Sequence, residues 1–421
     1  MKKALVVFLI LAVAGGLFAA PTFSGSVETG FGIGFDDAEG TPEKPADKPL
    51  VGWIQNRGEN GLAASLSVSG AGGGKDADGN PNPYGSWGGS FGIKLSAGRL
   101  GGSAYGIAVD GGNLWWQPND FAYIQIGTGG PGGFGTPGGL GASQSILDNN
   151  GLKFRLTPIS GLSIGVHAYA DNAKKALEDM NIGLGVNYTM PSLLNIVANF
   201  RYKPEASTTA IVTKSADNKF DAFFGANFLG LSAVGLTKLA ADVGTYNWGA
   251  PFQSIGVGEA ITFKALENLL TLDLSGQQYF WMGDGADKRS TLADGFIPMR
   301  YRAALSYTID KIVPAIQVQY TMGNAPGFNY RNANDMSSNV VTTPDADKAG
   351  LTSFDKAAEK LVALGISPQV TFNFGPTLII GYNLQMDMSE DAKNTGWSTA
   401  ATPVAFKKMQ HLIYATVKVS F

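Results

Sequence analysis

Cysteine is absent from the 421 residues. This excludes a disulfide scaffold, a Cys-ligated metal centre and a thiol enzyme. Histidine occurs only at His167 and His411. Charged residues make up 15% of the chain, against about 25% in an ordinary globular protein. The formal net charge of −3 leaves no global basic footprint, so no nucleic-acid partner is expected. Beyond residue 20 there is no apolar run of the ~18 residues that a membrane-spanning helix needs. Local catalytic motifs are missing too. The chain holds no His-Glu-x-x-His, no Gly-x-Ser-x-Gly at a plausible elbow and no phosphate loop. Neither an enzyme nor a cofactor nor a metal site is expected.

What the chain has in excess is glycine, 57 of its 421 residues, roughly twice the usual share. Aromatics reach 11% and apolar residues 44%, so the chain is not disordered. High glycine, high aromatic content and low charge point to β-structure beside an apolar medium.

The N-terminus reads as an export signal. Lys2 and Lys3 precede the apolar run Ala4 to Ala14, and Gly15 to Ala20 supply small residues before Pro21. This basic–apolar–small order predicts a signal peptide over residues 1–20, cleaved after about Ala19. Residues 21–421 then form a single domain.

That domain alternates with a period of two, as half-apolar strands do. Ile413, Ala415, Val417, Val419 and Phe421 share one face of the last segment, with Tyr414, Thr416, Lys418 and Ser420 on the other. Leu152, Phe154 and Leu156 alternate with Lys153 and Arg155; Met299, Tyr301, Ala303 and Leu305 alternate with Arg300, Arg302 and Ala304. The segments have the length of tilted membrane-crossing strands. Short connections, such as Gly375-Pro376, alternate with long polar stretches near residues 37–49, 71–87, 128–148, 323–360 and others. These features predict an all-β, antiparallel, up-and-down transmembrane barrel of about 18 strands, within 16–20, and an even count. Trp53, Trp115, Trp116, Phe280, Trp281, Tyr202 and Phe421 sit near strand ends, where interfacial girdles lie.

The C-terminal segment, with Val417, Val419 and the terminal Phe421, resembles the assembly signal of bacterial outer-membrane barrels. Together with the signal peptide and the loop pattern, the chain resembles the general porin-like class. The resemblance implies an outer-membrane location, surrounding lipid, passage by way of periplasmic chaperones and the barrel-assembly machinery, and small hydrophilic solutes as cargo. Porins are commonly trimers, so a homo-oligomer is among the implied partners, although the residues show no interface. Two other classes share the architecture, a fatty-acid type transporter barrel and a non-conducting surface barrel. The first normally carries an N-terminal hatch, and strand-like sequence begins here at Phe23.

If the apolar faces meet lipid, the other faces line the lumen. They carry Lys94, Lys153, Arg155, Arg201, Lys203, Lys238, Arg300, Arg302 and Lys418 against Glu28, Asp221, Asp273 and Asp387. This lining predicts passive diffusion with a mild anion preference. Arg300/Arg302 and Lys153/Arg155, each two apart on one face, are the expected pathway pairs.

Three places resist a simple reading. Residues 128–141, Gly-rich with two prolines, support neither helix nor strand. The plainer reading is a surface loop; folded inward, the segment forms a constriction. In the long stretch 323–360, Ser353 is placed to cap a short helix near 353–364 that Gly365 stops, and a second is expected near Lys174 to Met180. Finally, Glu259 falls on the apolar row of Ile255, Val257, Ile261 and Phe263. A bulge near Gly256 or Gly258 would turn it inward.

Overall fold

The computed structural model describes residues 22–36, 50–54, 62–75, 80–97, 105–130, 134–140, 150–169, 180–204, 219–249, 253–282, 299–322, 362–388 and 409–421. The alternating segments form antiparallel strands. These are β1 (Thr22–Asp36), β2 (Leu50–Ile54), β3 (Leu62–Lys75), β4 (Pro81–Ala97), β5 (Tyr105–Asn119), β6 (Ala122–Gly127), β7 (Gly151–Ile159), β8 (Leu162–Tyr169), β9 (Asn181–Met190) and β10 (Leu194–Lys203). The meander continues through β11 (Lys219–Phe228), β12 (Leu236–Trp248), β13 (Gln253–Ala265), β14 (Leu270–Met282), β15 (Met299–Tyr307), β16 (Ile312–Met322), β17 (Val362–Asn373), β18 (Thr377–Asp387) and β19 (Met409–Ser420).

The meander closes on itself. β1 pairs along one edge with β19, from Ser26↔Ser420 to Asp36↔Gln410. Its other edge is shared: Thr22 to Thr29 pair with β3, and Gly30 to Gly34 pair with β2. β2 and β3 therefore lie end to end in one position of the ring. Nineteen strand segments make an 18-stave barrel, as the strand spacing predicts. The last residue completes the seam. Gly25 N–H donates to the Phe421 carbonyl at 2.9 Å, and Phe421 N–H donates back at 3.0 Å. Closure removes the open edges, whose unpaired backbone groups would each cost several kcal/mol in hydrocarbon.

Side chains are inverted relative to a water-soluble sandwich. Leu184, Phe224, Val243, Val257 and Ile380 on the outward rows are 37–50% exposed. On the inward rows Lys153, His167, Asp221 and Asn383 are at most 1% exposed. Apolar groups outside and polar groups buried are what lipid outside and a polar lumen demand.

Four expectations change. Residues 71–87 are not a long loop: β3 runs to Lys75 and β4 starts at Pro81. Glycine obscures the alternation there, and the outward Trp87 covers Gly72 in its place, 3.0 Å from where a Cβ would stand. Trp115 does not join an interfacial girdle. It is adjacent to Trp116, so only one of the two can face out; Trp116 does, while Trp115 stacks inside on Tyr123 at 5.8 Å. The end of the helix expected over 353–364 is strand instead. Gly365 sits inside β17 between Gln319 and Gln385, with Leu364 and Ile366 on the outward row, so sheet pairing overrides the helical spacing. Glu259 is not turned by a bulge. The β12–β13 register is unbroken from Lys238↔Thr262 to Tyr246↔Ser254, and its one shift lies between Leu236 and Lys238. The signal peptide (residues 1–20), the rest of the 323–360 stretch and the segment 174–179 lie outside the described residues.

Candidate functional site

Among the described residues, one segment enters the barrel. Residues 134–140, part of the connection from β6 to β7, pack on the inward rows of β10 to β14. Phe134 is 0% exposed, Leu140 2% and Thr136 4%. The inward reading of the Gly-rich segment therefore holds for these residues, and the surface-loop reading does not.

The start of the connection is tied down first. Gln125 Nε2 donates to the carbonyls of Thr128 and Gly129 at 3.0 and 2.9 Å. Lys153 Nζ donates to the Gly127 carbonyl at 3.1 Å, and Asn113 Nδ2 to Thr128 at 3.1 Å. Further in, three wall side chains hold the backbone. Asn199 donates from Nδ2 to the Phe134 carbonyl, Gln277 from Nε2 to the Gly139 carbonyl, and the Leu140 N–H donates to Asp242 Oδ1 at 3.2 Å. A segment with few side chains offers mainly its backbone, so its partners must be side chains of the wall.

Between these anchors the wall carries glycines. A Cβ at Gly225 would stand 2.6 Å from Pro137 Cδ, one at Gly256 3.0 Å from Leu140 Cδ2, and one at Gly258 2.8 Å from Gly139 N. These three glycines on β11 and β13 form a trough that admits the segment. Leu140 then joins Phe223, Tyr246 and Tyr279 in a buried cluster inside the lumen. The Phe223 and Tyr246 rings meet edge-on at 5.0 Å, and the Tyr246 and Tyr279 hydroxyls lie 3.3 Å apart.

The expected basic residues surround this segment unevenly. Arg201 Nη2 and Lys203 Nζ both approach Asp221 Oδ2, at 3.1 and 2.9 Å. Arg201 also lies over the Phe223 ring at 5.3 Å. Arg300 donates from Nη2 to Gln277 Oε1 at 3.1 Å, linking it to the side chain that holds Gly139. Arg302 shares its inward row and is exposed. Arg155 lies over Tyr123 at 5.0 Å on the other side of the connection, where Lys153 is wholly buried at the Gly127 anchor. Lys94 on β4 is exposed and pairs in register with Ser65 and Ala108. Lys238 shares the inward row of Thr262, whose hydroxyl donates to Asp273 at 2.6 Å. Asp387 pairs in register with Ala363 on β17, and Lys418 pairs with Glu28 across the seam.

Asp242, Gln277, Phe223, Tyr246 and Tyr279 are site residues that pattern reading missed. The signal present in the sequence was the inward glycines, Gly225, Gly244, Gly256 and Gly258, at alternate positions of adjacent strands.

No family model matches the chain, and no curated protein matches it. Solved structures do. The outer membrane protein OprD from Pseudomonas aeruginosa aligns with a TM-score of 0.53 at 10% identity, over 97% of this chain and 95% of that one. OccK11 (OpdR) of the same organism aligns with a TM-score of 0.50 at 9% identity, over 96% and 97%. At such identities the likeness is one of fold. By its fold the chain is a closed antiparallel barrel of 18 staves, similar to those of OprD and OccK11.

Proposed function

We propose that the chain is a channel of the bacterial outer membrane through which small hydrophilic solutes diffuse passively, with a mild anion preference. The observation that carries this reading is the segment 134–140, held against the inner wall of a closed barrel whose inward rows are polar. A barrel of this strand number has room for an aqueous path.

Ion preference follows from the lumen charges. Arg201 and Lys203 share one carboxylate, and Arg300 and Arg302 stand on β15 beside the held segment. Lys94, Arg155 and Lys238 extend the basic lining on other staves, with Asp273 and Asp387 as acidic counterparts. A surplus of fixed positive charge in a low-dielectric wall raises the local anion concentration.

The signal peptide over residues 1–20 supports export, and Val417, Val419 and Phe421 support recognition by the barrel-assembly machinery. The short-turn rim, with both strand termini Thr22 and Phe421, faces the periplasm in this reading.

The test is single-channel conductance of the refolded chain in a planar bilayer under a salt gradient. Stable steps with a reversal potential on the anion side are expected. Arg300→Ala with Arg302→Ala should move that potential toward zero. A folded barrel that never conducts would overturn the channel and leave a non-conducting surface barrel.

A further inference from the structure

Two basic pairs of the lumen repeat one arrangement. Lys153 and Arg155 stand two apart on the inward row of β7, and Arg300 and Arg302 two apart on that of β15. Both strands start at the long-loop rim and run to a short turn. Lys153 and Arg300 are therefore the members nearer the rim from which the β6–β7 connection enters. In each pair this first member is turned to that connection. Lys153 is wholly buried and donates from Nζ to the Gly127 carbonyl at 3.1 Å. Arg300 is half-buried and reaches the segment through Gln277.

The Gln277 amide has one acceptor oxygen and one donor nitrogen. Arg300 Nη2 donates to Oε1 at 3.1 Å, which leaves Nε2 to donate to the Gly139 carbonyl. The opposite amide orientation would set two donors together at Arg300 and two acceptors together at Gly139. Arg300 thus fixes which way Gln277 points, and Gln277 fixes Gly139.

The second members are placed differently. Arg302 is exposed, and its register neighbours, Ser275 and Gln319, are not among the three anchors of residues 134–140. Arg155 is half-exposed, with its guanidinium over the Tyr123 ring at 5.0 Å. A ring face steadies a guanidinium without neutralising it.

We infer that these four cations divide two tasks. Arg300 and Lys153 are positioning residues for the inward connection, whereas Arg302 and Arg155 set the ion preference. The inference rests on the reading of the chain as a diffusion channel. An exposed guanidinium offers its charge and its donors to a passing anion, whereas one directed at a fixed amide has part of that capacity engaged.

The experiment uses the full refolded chain, with barrel formation read separately by heat-modifiable gel mobility. The chain has no native cysteine, so Thr136→Cys puts a single thiol on the segment, at a position that is buried in the native chain. Its maleimide labelling reports the segment without any need for conduction. Arg300→Gln and Gln277→Ala should each speed labelling about tenfold, the worth of one hydrogen bond to a buried group. The two together should be no faster than either alone, because they break one chain of contacts. Arg300→Lys, which keeps a charge and a donor, should restore slow labelling, and Lys153→Met should speed it. Arg302→Gln and Arg155→Gln should label at the native rate. In a planar bilayer under a salt gradient the order reverses. Arg302→Gln and Arg155→Gln should move the reversal potential toward zero, Arg300→Gln should move it less, and Gln277→Ala should raise conductance while keeping the potential. Native labelling in Arg300→Gln, or a larger potential shift from Arg300→Gln than from Arg302→Gln, overturns the inference and leaves the channel standing. A folded barrel that labels as expected and never conducts overturns the channel reading, and with it the task given to Arg302 and Arg155.

Discussion

The backbone N–H of Leu140 donates to Asp242 Oδ1 at 3.2 Å, across a sequence distance that only a closed barrel brings together. Asp242 is buried on the inward row of β12, and a Cβ at Gly138 would stand 2.5 Å from its Cγ. The carboxylate is thus one of the wall's three grips on the segment inside the lumen, with Asn199 and Gln277.

Asp242→Ala should loosen that grip. The Leu140 N–H loses its acceptor, at a local cost of about 1–3 kcal/mol. Barrel stability should change little, because the strand ladders stay intact. Single-channel records should show larger and noisier steps; steps identical to the native ones would mean that the segment does not limit conduction.

Gly258→Val tests the trough. Its side chain would take the space of the Gly139 backbone, so the segment must lift off the wall. Larger neutral polymers should then enter the pore and reduce its conductance, measured by polymer exclusion. An unchanged size cut-off would place the narrowest point elsewhere.

Asp221→Asn isolates the electrostatics. In the native chain one carboxylate oxygen serves both Arg201 and Lys203. Neutralising it adds one net positive charge to the lumen, so the reversal potential should move further to the anion side. The shift should shrink at high salt, as screening predicts. Adding Lys203→Ala should reverse most of it. A shift toward cations would contradict the assignment of these residues to the conducting path.

Gly25→Leu tests closure. A Cβ at Gly25 would stand 2.7 Å from Phe421 Cζ and 2.5 Å from the Ser65 carbonyl oxygen. The Phe421 ring thus covers a strand position that has no side chain, an arrangement that restores packing over a strand glycine. Gly25→Leu should lower the yield of heat-modifiable barrel sharply. Phe421→Ala should slow assembly while retaining the backbone pair at the seam. Normal folding rates in both would remove the seam from the rate-limiting step.

The alternation of residues 152–156, 299–307 and 412–421 was legible because a strand exposes its two faces at period two, whatever its neighbours are. The same rule assigned Arg300, Arg302, Lys153 and Arg155 to the inward rows. Legibility ended where side chains are missing. Gly70 to Gly74 carry no alternation, so residues 71–87 resembled a loop until Trp87 and the partner strands supplied the pattern. Gly365 resembled a helix stop because Ser353 to Leu364 has helical spacing, yet its ladder partners are in β16 and β18.

The sequence by itself determined the inside and outside of the strands whose side chains alternate, and an even ring of about 18 staves, because these depend on local period and length. The sequence left the aim of Glu259 open, and the unbroken register of β12, β13 and β14 decided that it faces out. Only the tertiary structure decided where residues 134–140 lie. Their anchors, Asn199, Asp242 and Gln277, are scattered over three strands, and their trough is made of glycines whose nearness exists only after the ring closes. A segment that binds through its backbone carries no side-chain pattern to announce its destination, so the wall, and not the loop, sets the constriction.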